Sequence, residues 1–136
     1  MAFLANKFAV TGNANTLVAG SRISGTGVPM GRVKACSLAA VVDVDCETST
    51  LTMAGVWQGA NLANFTDAVD LALDGNNPAP VVFATGTGGA DANVKKAFPC
   101  PAAGYGFKFV RFQILTGIVT GAAVDTYAIG YNYRAN

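Results

Sequence analysis

The chain offers few residue combinations that could carry out catalysis. It contains no histidine, the commonest general base and the commonest metal ligand. Its serines therefore lack the usual base for nucleophilic attack, and none begins a Ser-x-x-Lys motif that would supply a lysine instead; they are Ser21, Ser24, Ser37 and Ser49. The sequence also lacks a metal-ligand cluster and a cofactor motif. We predict that the protein is not an enzyme and holds no cofactor.

Three acidic residues, Asp43, Asp45 and Glu47, alternate along the chain. On a β-strand this spacing puts three carboxylates on one face, where they could meet a calcium ion. A solvated outer face is the simpler explanation, with the repulsion relieved by Arg32 and Lys34 on a neighbouring strand. Because the EF-hand pattern is absent as well, we predict no metal site.

A second acidic set, Asp67, Asp70 and Asp74, has helical spacing. Paired carboxylates serve glycosidases only where they converge on a cleft, and nothing in the sequence identifies one. We interpret this set as the polar face of a helix. The glycine-rich segments 86–91 and 116–121 lack the Gly-Lys-Ser/Thr of a phosphate-binding loop and are typical of turns.

The three cysteines, Cys36, Cys46 and Cys100, form no Cys-x-x-Cys pair. Cys36 and Cys46 either face each other across a hairpin or, with Cys100, are small buried hydrophobes. No secretory signal is recognisable, because Lys7 interrupts the apolar run at the start. We therefore expect synthesis in a reducing cytoplasm.

The aromatic residues allow two interpretations. Trp57 together with Tyr127, Tyr131 and Tyr133 could form a surface on which a sugar stacks, as in lectin-like sandwiches. Aromatic residues that share one parity along a strand are more often the core of a sheet.

Composition narrows the function classes further. Charged residues make up 12% of the 136 residues, hydrophobic residues 51%, and the net charge is +1. A disordered chain would be less apolar, and a general nucleic-acid binder would carry a basic surface. No stretch is apolar enough for a membrane span. A surface with so few charges is typical of a component whose neighbours cover it in an assembly.

The hydrophobic pattern predicts short strands separated by turns. Period-two alternation is visible from Arg32 onward, and Leu38, Ala40, Val42 and Val44 share one face. The segment 66–75 suits either a helix or a strand. Further strands are expected at 51–58, 81–85, 107–115 and 124–134, and loops at 11–15, 24–27, 59–65 and 116–123. We predict an all-β antiparallel sandwich, with a jelly roll as first choice and a small barrel as second.

One domain accounts for the whole chain. Residues 1–30 contain an amino-terminal arm and the first strand or strands, and residues 31–136 form the sandwich. Phe3, Leu4 and Phe8 make the arm apolar. It is either an extended arm that docks on a neighbouring protein or the first strand of the sheet.

Two segments resemble small structural proteins of tailed bacteriophages. VWQGANLANFTDAVDL, residues 56–71, is similar to a strand-and-loop motif in which Trp-Gln precedes an Asn-rich loop. Residues 102–134 resemble the final hairpin of these proteins, in which a Phe-rich strand and a Gly/Ala/Thr turn precede a Tyr-rich strand. The resemblance implies a β-sandwich virion protein, most plausibly a decoration or cement protein on the capsid exterior, made in the host cytoplasm.

This interpretation predicts a protein that binds the assembled lattice of the major capsid protein and stabilises it by mass action. We expect a homotrimer with no nucleic-acid or membrane partner. The predicted docking residues are Phe3, Leu4 and Phe8 in the arm, Asn61 and Asn64 in loop 59–65, and Ile118 and Val119 in connector 116–123. Two alternatives remain, namely a carbohydrate- or receptor-binding head-spike or tail module, and a tail-tube or head-closure component.

Overall fold

The computed structural model describes residues 3–5, 10–13, 22–45, 50–71, 81–86, 94–120 and 126–135. Within these ranges the chain forms eleven β-strands and two short 3-10 helices, and no α-helix. The strands are β1 Phe3–Ala5, β2 Val10–Asn13, β3 Arg22–Ser24, β4 Val28–Pro29, β5 Ala39–Asp45, β6 Thr50–Ala60, β7 Val69–Leu71, β8 Val81–Gly86, β9 Val94–Pro99, β10 Phe109–Thr120 and β11 Thr126–Arg134. The 3-10 helices are Met30–Arg32 and Ala102–Gly106.

The strands form two antiparallel sheets that pack against each other. In the first sheet the order is β1, β11, β5, β9, and β2 also pairs with β11. In the second sheet the order is β3, β10, β6, β7, while β4 pairs with β10 and β8 pairs with β6. The predicted all-β antiparallel sandwich is confirmed.

Alternating side chains account for the two layers. On β5, Ala40, Val42 and Val44 are fully buried whereas Asp43 between them is exposed. On β11 the inward positions carry Ile129, Tyr131 and Tyr133. Successive side chains of a strand point to opposite faces, so each strand contributes every second residue to the shared core. The faces predicted for both strands are confirmed.

Aromatic rings fill the space between the sheets. Trp57 is fully buried, with ring centroids 5.4 Å from Phe112 and 5.9 Å from Tyr131. Phe98 stacks on the other side of Phe112 at 5.1 Å. Gly55 makes this packing possible, because a Cβ atom there would lie 2.3 Å from the Phe112 ring. Gly55 thus replaces a side chain in the alternating pattern of β6 and leaves its space to the Phe112 ring.

One side chain connects the sheets by a hydrogen bond through the core. The Tyr131 hydroxyl, from β11, accepts a bond of 2.9 Å from the Phe112 N–H on β10. Phe112 faces the break between β3 and β4, where Gly25 N–H donates to the Phe112 carbonyl at 2.8 Å. A Cβ on Gly25 would lie 2.2 Å from the Tyr131 oxygen. The bond therefore depends on a residue without a side chain at position 25.

Several predicted boundaries are wrong. Residues 32–35 do not form a strand: Pro29 leads into the 3-10 helix Met30–Arg32, and Val33 makes an isolated bridge to Ala135. A proline sets its own φ and favours a turn at this point. Residues 11–13 belong to β2 instead of a loop, whereas 69–71 take the strand, one of the two forms predicted for that segment. Because 32–35 lies outside the sheets, the cross-strand partner of Asp43 is Lys95 on β9.

The connector predicted at 116–123 is also wrong over 116–120, where the chain continues β10. Ile118 and Val119 are β-branched and favour a strand, and β6 supplies pairing partners up to Thr120. A register shift between Thr116 and Val119 accommodates the glycine at 117 as an irregularity inside the strand.

The amino-terminal segment takes the second of its two predicted forms where the structure describes it. β1 and β2 both pair with β11 as strands of the first sheet. Phe3 and Leu4 lie in β1, opposite Arg134 and Tyr133 in register. The predictions for Phe8, Cys46, Glu47 and Asp74 fall outside the described residues.

We expect Tyr131→Phe to lower the free energy of unfolding by about 1–3 kcal/mol, because it leaves the buried Phe112 N–H without its acceptor. Urea unfolding followed by tryptophan fluorescence measures the change. The matched control is Tyr127→Phe on the same face of β11, whose phenol is only partly buried. An equal loss in both variants would contradict a specific role for the hydrogen bond.

We also expect the wild-type protein to lose stability at high pH through Tyr131. Burial raises the pKa of Tyr131 to about 12, against a value of about 10 in the unfolded chain. The folded state therefore holds the proton more tightly, and the contribution is complete below about pH 10 and lost as the pH rises toward about 12. Burial likewise raises the pKa of Cys100 to about 12, but that thiol is present in both the wild-type protein and the Tyr131→Phe variant.

Urea unfolding at pH 8, 10 and 11.5 should show a shallower pH dependence of the free energy of unfolding for Tyr131→Phe than for wild type. Parallel curves would refute the assignment.

Candidate functional site

A short loop between β6 and β7, residues 61–68, carries the clearest surface feature of the described part of the chain. Among the large hydrophobic side chains whose exposure the structure gives, Leu62 and Val69 stand out, at 52% and 47% exposed. Leu62 lies in the loop, and Val69 begins β7 directly after it. Because both belong to one short hairpin, they are the candidate contact site for another macromolecule.

The backbone of the loop is organised by its own polar side chains. The Asp67 carboxylate accepts hydrogen bonds from the N–H groups of Asn61 and Leu62, at 3.0 and 3.2 Å. Asn64 Oδ1 accepts from the N–H and the hydroxyl of Thr66, at 3.1 and 2.9 Å. Such side-chain bonds to nearby backbone are the usual way a turn of Asn and Asp is stabilised. The conformation that presents Leu62 is therefore held in place before any partner arrives.

Phe65 anchors the loop to the outer face of the second sheet. Its φ of 57° lies in the left-handed region, and its ring is buried against Phe109, with centroids 6.5 Å apart. The Arg111 guanidinium lies over the ring, 4.3 Å from its centroid, in a cation–π contact. Gly27 leaves room for the ring, since a Cβ there would be 2.7 Å from it. Packing on both sides offsets the unfavourable backbone conformation of Phe65.

A hydrogen-bonded network continues from Arg111 across the same face. Arg111 donates to the Gln58 oxygen at 3.0 Å, and the Gln58 amide donates to Asp70 at 2.8 Å. Arg22 donates to both carboxylate oxygens of Asp70, at 3.2 and 3.3 Å, and to Gln113 at 2.8 Å. The hydrogen bond from Arg22 is the main reason that the pKa of Asp70 lies below its usual value; partial burial opposes this shift, and the Gln58 bond adds to it. The network joins β3, β10, β6 and β7 across the face of the second sheet that carries the loop, with Gln58 and Gln113 buried within it.

The structure separates the docking residues predicted from the sequence. Asn61 and Asn64 lie in the loop, but their side-chain oxygens make structural bonds: Asn61 Oδ1 accepts from the Lys108 N–H, outside the loop, at 3.3 Å, and Asn64 Oδ1 accepts from Thr66 within it. Val119 pairs with Leu51 at the far end of β6, about 30 Å along the strand from Ala60, where the loop begins. Phe3 and Leu4 belong to the other sheet. Of the predicted docking residues that the structure describes, only the two asparagines fall in the candidate site.

Leu62, Phe65 and Val69 are not singled out by the sequence reasoning. They lie within a segment predicted partly as a loop and partly as a helix or strand. The signal available in the sequence was Asn64-Phe65-Thr66, which here forms a side-chain-stabilised turn. Asp67 was assigned to a helix face with Asp70; the two instead serve a loop and a strand.

The sugar-stacking interpretation of Trp57 and the tyrosines is wrong. Trp57 and Tyr131 are fully buried, and Tyr133 is 6% exposed. These three rings belong to the core between the sheets and present no face to a ligand, and the partly buried Tyr127 packs against the same core.

The remaining chemistry-bearing residues give no catalytic arrangement in the described ranges. Cys100 is buried, while Cys36 is exposed, which corrects the expectation that all cysteines are buried. The described side chains include no group of three or more His, Cys, Asp or Glu that could hold a metal ion. Likewise, no helix of the described segments is long and apolar enough to cross a membrane.

Comparisons with known proteins identify no relative. No protein-family model matches the chain, and neither the curated proteins nor the solved structures gave a significant match.

We expect Asp67→Ala to release the loop without unfolding the sandwich. Amide hydrogen exchange of Asn61 and Leu62 should accelerate, and the free energy of unfolding should fall by about 1 kcal/mol, because two backbone donors lose their acceptor. Exchange measured by NMR tests this directly. Asp43→Ala, which removes an exposed carboxylate from β5, is the control and should leave both rates unchanged. Unaltered exchange in Asp67→Ala would show that the loop is organised by other contacts.

Proposed function

We propose that the protein is a virion structural protein that decorates the capsid, binding the assembled lattice of the major capsid protein from outside. The observation that carries the proposal is the preorganised loop 61–68, which presents Leu62 and is followed by the exposed Val69 at the start of β7. A surface loop that internal hydrogen bonds already hold in one conformation loses little conformational entropy when it binds a partner. This property favours a role in binding over one in catalysis.

The strand order favours a jelly roll, an architecture common in viral capsid and lectin domains. β1 and β2 share the partner β11, β3 and β4 share β10, and β7 and β8 share β6. If each of these pairs is counted as one interrupted strand, the eleven strands become eight. When the eight are renumbered along the chain, their order is 1-8-3-6 in the first sheet and 2-7-4-5 in the second. Those are the orders of two interlocked Greek keys.

The bacteriophage-like segments include elements that build the site. Residues 56–71 span the end of β6, the loop and β7, and residues 102–134 include β10 of the same sheet together with β11 of the other. The two residues of the Trp-Gln motif have different structural roles. Trp57 fills the core, and Gln58 joins the hydrogen-bonded network with Asp70. The chain's low charge suits a component covered by neighbours, and a homotrimer would match the local threefold symmetry of a capsid lattice. Its location would be the outside of the virion.

Native mass spectrometry of the purified chain, alone and mixed with empty phage shells that lack a decoration protein, tests the proposal. We expect a trimer that loads onto shells in stoichiometric amounts. A monomer that does not load would overturn the proposal. Rings of six or twelve subunits would overturn it in favour of a tail-tube or head-closure component.

The loop can be tested in the same assay. Leu62→Asp and Val69→Asp should each reduce the affinity for shells by about tenfold or more, because a charge replaces an apolar contact in the centre of an interface. Ala97→Asp introduces the same charge at an exposed position on β9, in the other sheet, and should load like wild type. Circular dichroism confirms that each variant is folded. Full loading of both loop variants would exclude this surface as the contact.

A further inference from the structure

Arg111, beside the loop 61–68, is a cation that forms no ion pair with the described residues. It lies on β10, directly opposite Gln58 of β6. The ion pair on this face joins Arg22 to Asp70 instead. A charged side chain that leaves water is usually paired, and Arg111 is partly buried. Its guanidinium therefore holds one positive charge that an anion from outside the described chain could neutralise.

Two contacts fix the position of the Arg111 side chain. Its Nε–H donates to Gln58 Oε1 at 3.0 Å, and its guanidinium lies 4.3 Å from the centroid of the Phe65 ring. These contacts use one N–H group and one face of the planar guanidinium. The N–H groups on Nη1 and Nη2 have no acceptor among the described residues. In the same part of the chain the fully buried polar side-chain atom without a partner is Trp57 Nε1, so the Nη atoms of Arg111 are open to solvent.

The electrostatic surroundings of Arg111 favour an added negative charge. Partial burial is the main reason that the pKa of Arg111 lies below its usual value; the Tyr131 phenol opposes this shift, and the second cation, Arg22, adds to it. The carboxylates of β7 and the loop are engaged elsewhere, because Asp70 binds Arg22 and Asp67 accepts from the loop backbone. A carboxylate supplied by another molecule would stabilise the Arg111 charge.

Arg111 belongs to the surface that is proposed to contact the shell. Phe65, whose ring the guanidinium covers, lies in the loop 61–68, and the Phe65 N–H donates to the Leu62 carbonyl at 3.0 Å. The exposed Leu62 and the open end of Arg111 are thus both positioned through Phe65. Arginine is one of the residue types that most often dominate the binding energy of an interface.

We propose that Arg111 gives this contact its specificity by binding a carboxylate side chain of the major capsid protein. A guanidinium binds a carboxylate through two parallel hydrogen bonds, and stacking on Phe65 orients the guanidinium of Arg111 in advance. The inference rests on the proposed function and adds the chemistry of the partner, which would offer an acidic side chain as well as an apolar one. A nucleic acid would need a more extended basic surface than a chain of net charge +1 provides.

The salt dependence of shell loading tests this role. Wild type, Arg111→Gln and Arg111→Lys are titrated onto empty phage shells that lack a decoration protein, at about 20, 150 and 500 mM NaCl, and the bound fraction is measured after the shells are sedimented. Arg111→Gln should lower the affinity by about tenfold or more at the lowest salt and by at most about threefold at the highest, because salt screens the attraction that only wild type has. Arg111→Lys keeps the charge but loses the paired hydrogen bonds. Its affinity should be lower than that of wild type and should fall as steeply with salt.

The matched control is Lys95→Gln, which removes one positive charge from an exposed position on β9 in the other sheet and should retain the wild-type salt dependence. A deficit of Arg111→Gln that is equal at all three salt concentrations would overturn the proposal, because Arg111 would then only anchor Phe65. An equal loss of salt dependence in Lys95→Gln would also overturn it, since the effect would belong to the net charge. If wild type loads and Arg111→Gln loads equally well, only this inference fails; if wild type does not load at any salt concentration, the proposed function fails as well.

Discussion

The hydroxyl of Tyr131 reaches through the core and accepts the Phe112 N–H of the opposite sheet, and the arrangement around this bond organises much of the second sheet. The bond requires a break between β3 and β4, where Gly25 approaches both the phenol oxygen and the Phe112 carbonyl. Gly27, two residues later, leaves room for the Phe65 ring on the outer surface. The interruption between β3 and β4 thus leaves room for the Tyr131 side chain on the core side and for the Phe65 ring on the outer side. The second of these anchors the loop that carries Leu62.

The polar residues of the described surface serve mainly to hold the structure, and this shapes its functional interpretation. Arg22, Asp70, Gln58 and Arg111 bond to one another, and Asp67 bonds to the loop backbone. Bonded in this way, these groups stabilise a rigid surface. Among the described side chains whose exposure is given, Leu62 and Val69 are the large hydrophobic ones that the fold leaves exposed.

Prediction from the sequence succeeded where a local pattern and the tertiary environment agreed. The alternation in β5 and β11 identified buried and exposed faces, because period two is a property of the strand itself. It failed at 116–120, where two glycine signals suggested a connector and pairing with β6 extended the strand instead. Asp67 and Asp70 looked like one helix face, yet Asp70 is drawn into a strand by pairing with Gln58. The candidate site was only partly foreseen, because Asn61 and Asn64 stabilise the loop whereas neighbouring Leu62 supplies its exposed surface.

By itself, the sequence determined the all-β class, the inward faces of the most regular strands and the absence of histidine chemistry, since these depend on composition and on side-chain periodicity. Only the tertiary structure decided whether Trp57 and the tyrosines form a ligand-binding surface or the core. Aromatic side chains on one face of a strand suit either role, and the packing of the second sheet against that face buries them. It also decided the partners of Arg22, which come from β7 and β10, far away in the chain. Strand pairing and sheet packing join residues by spatial proximity, and local residue patterns carry little information about such distant neighbours.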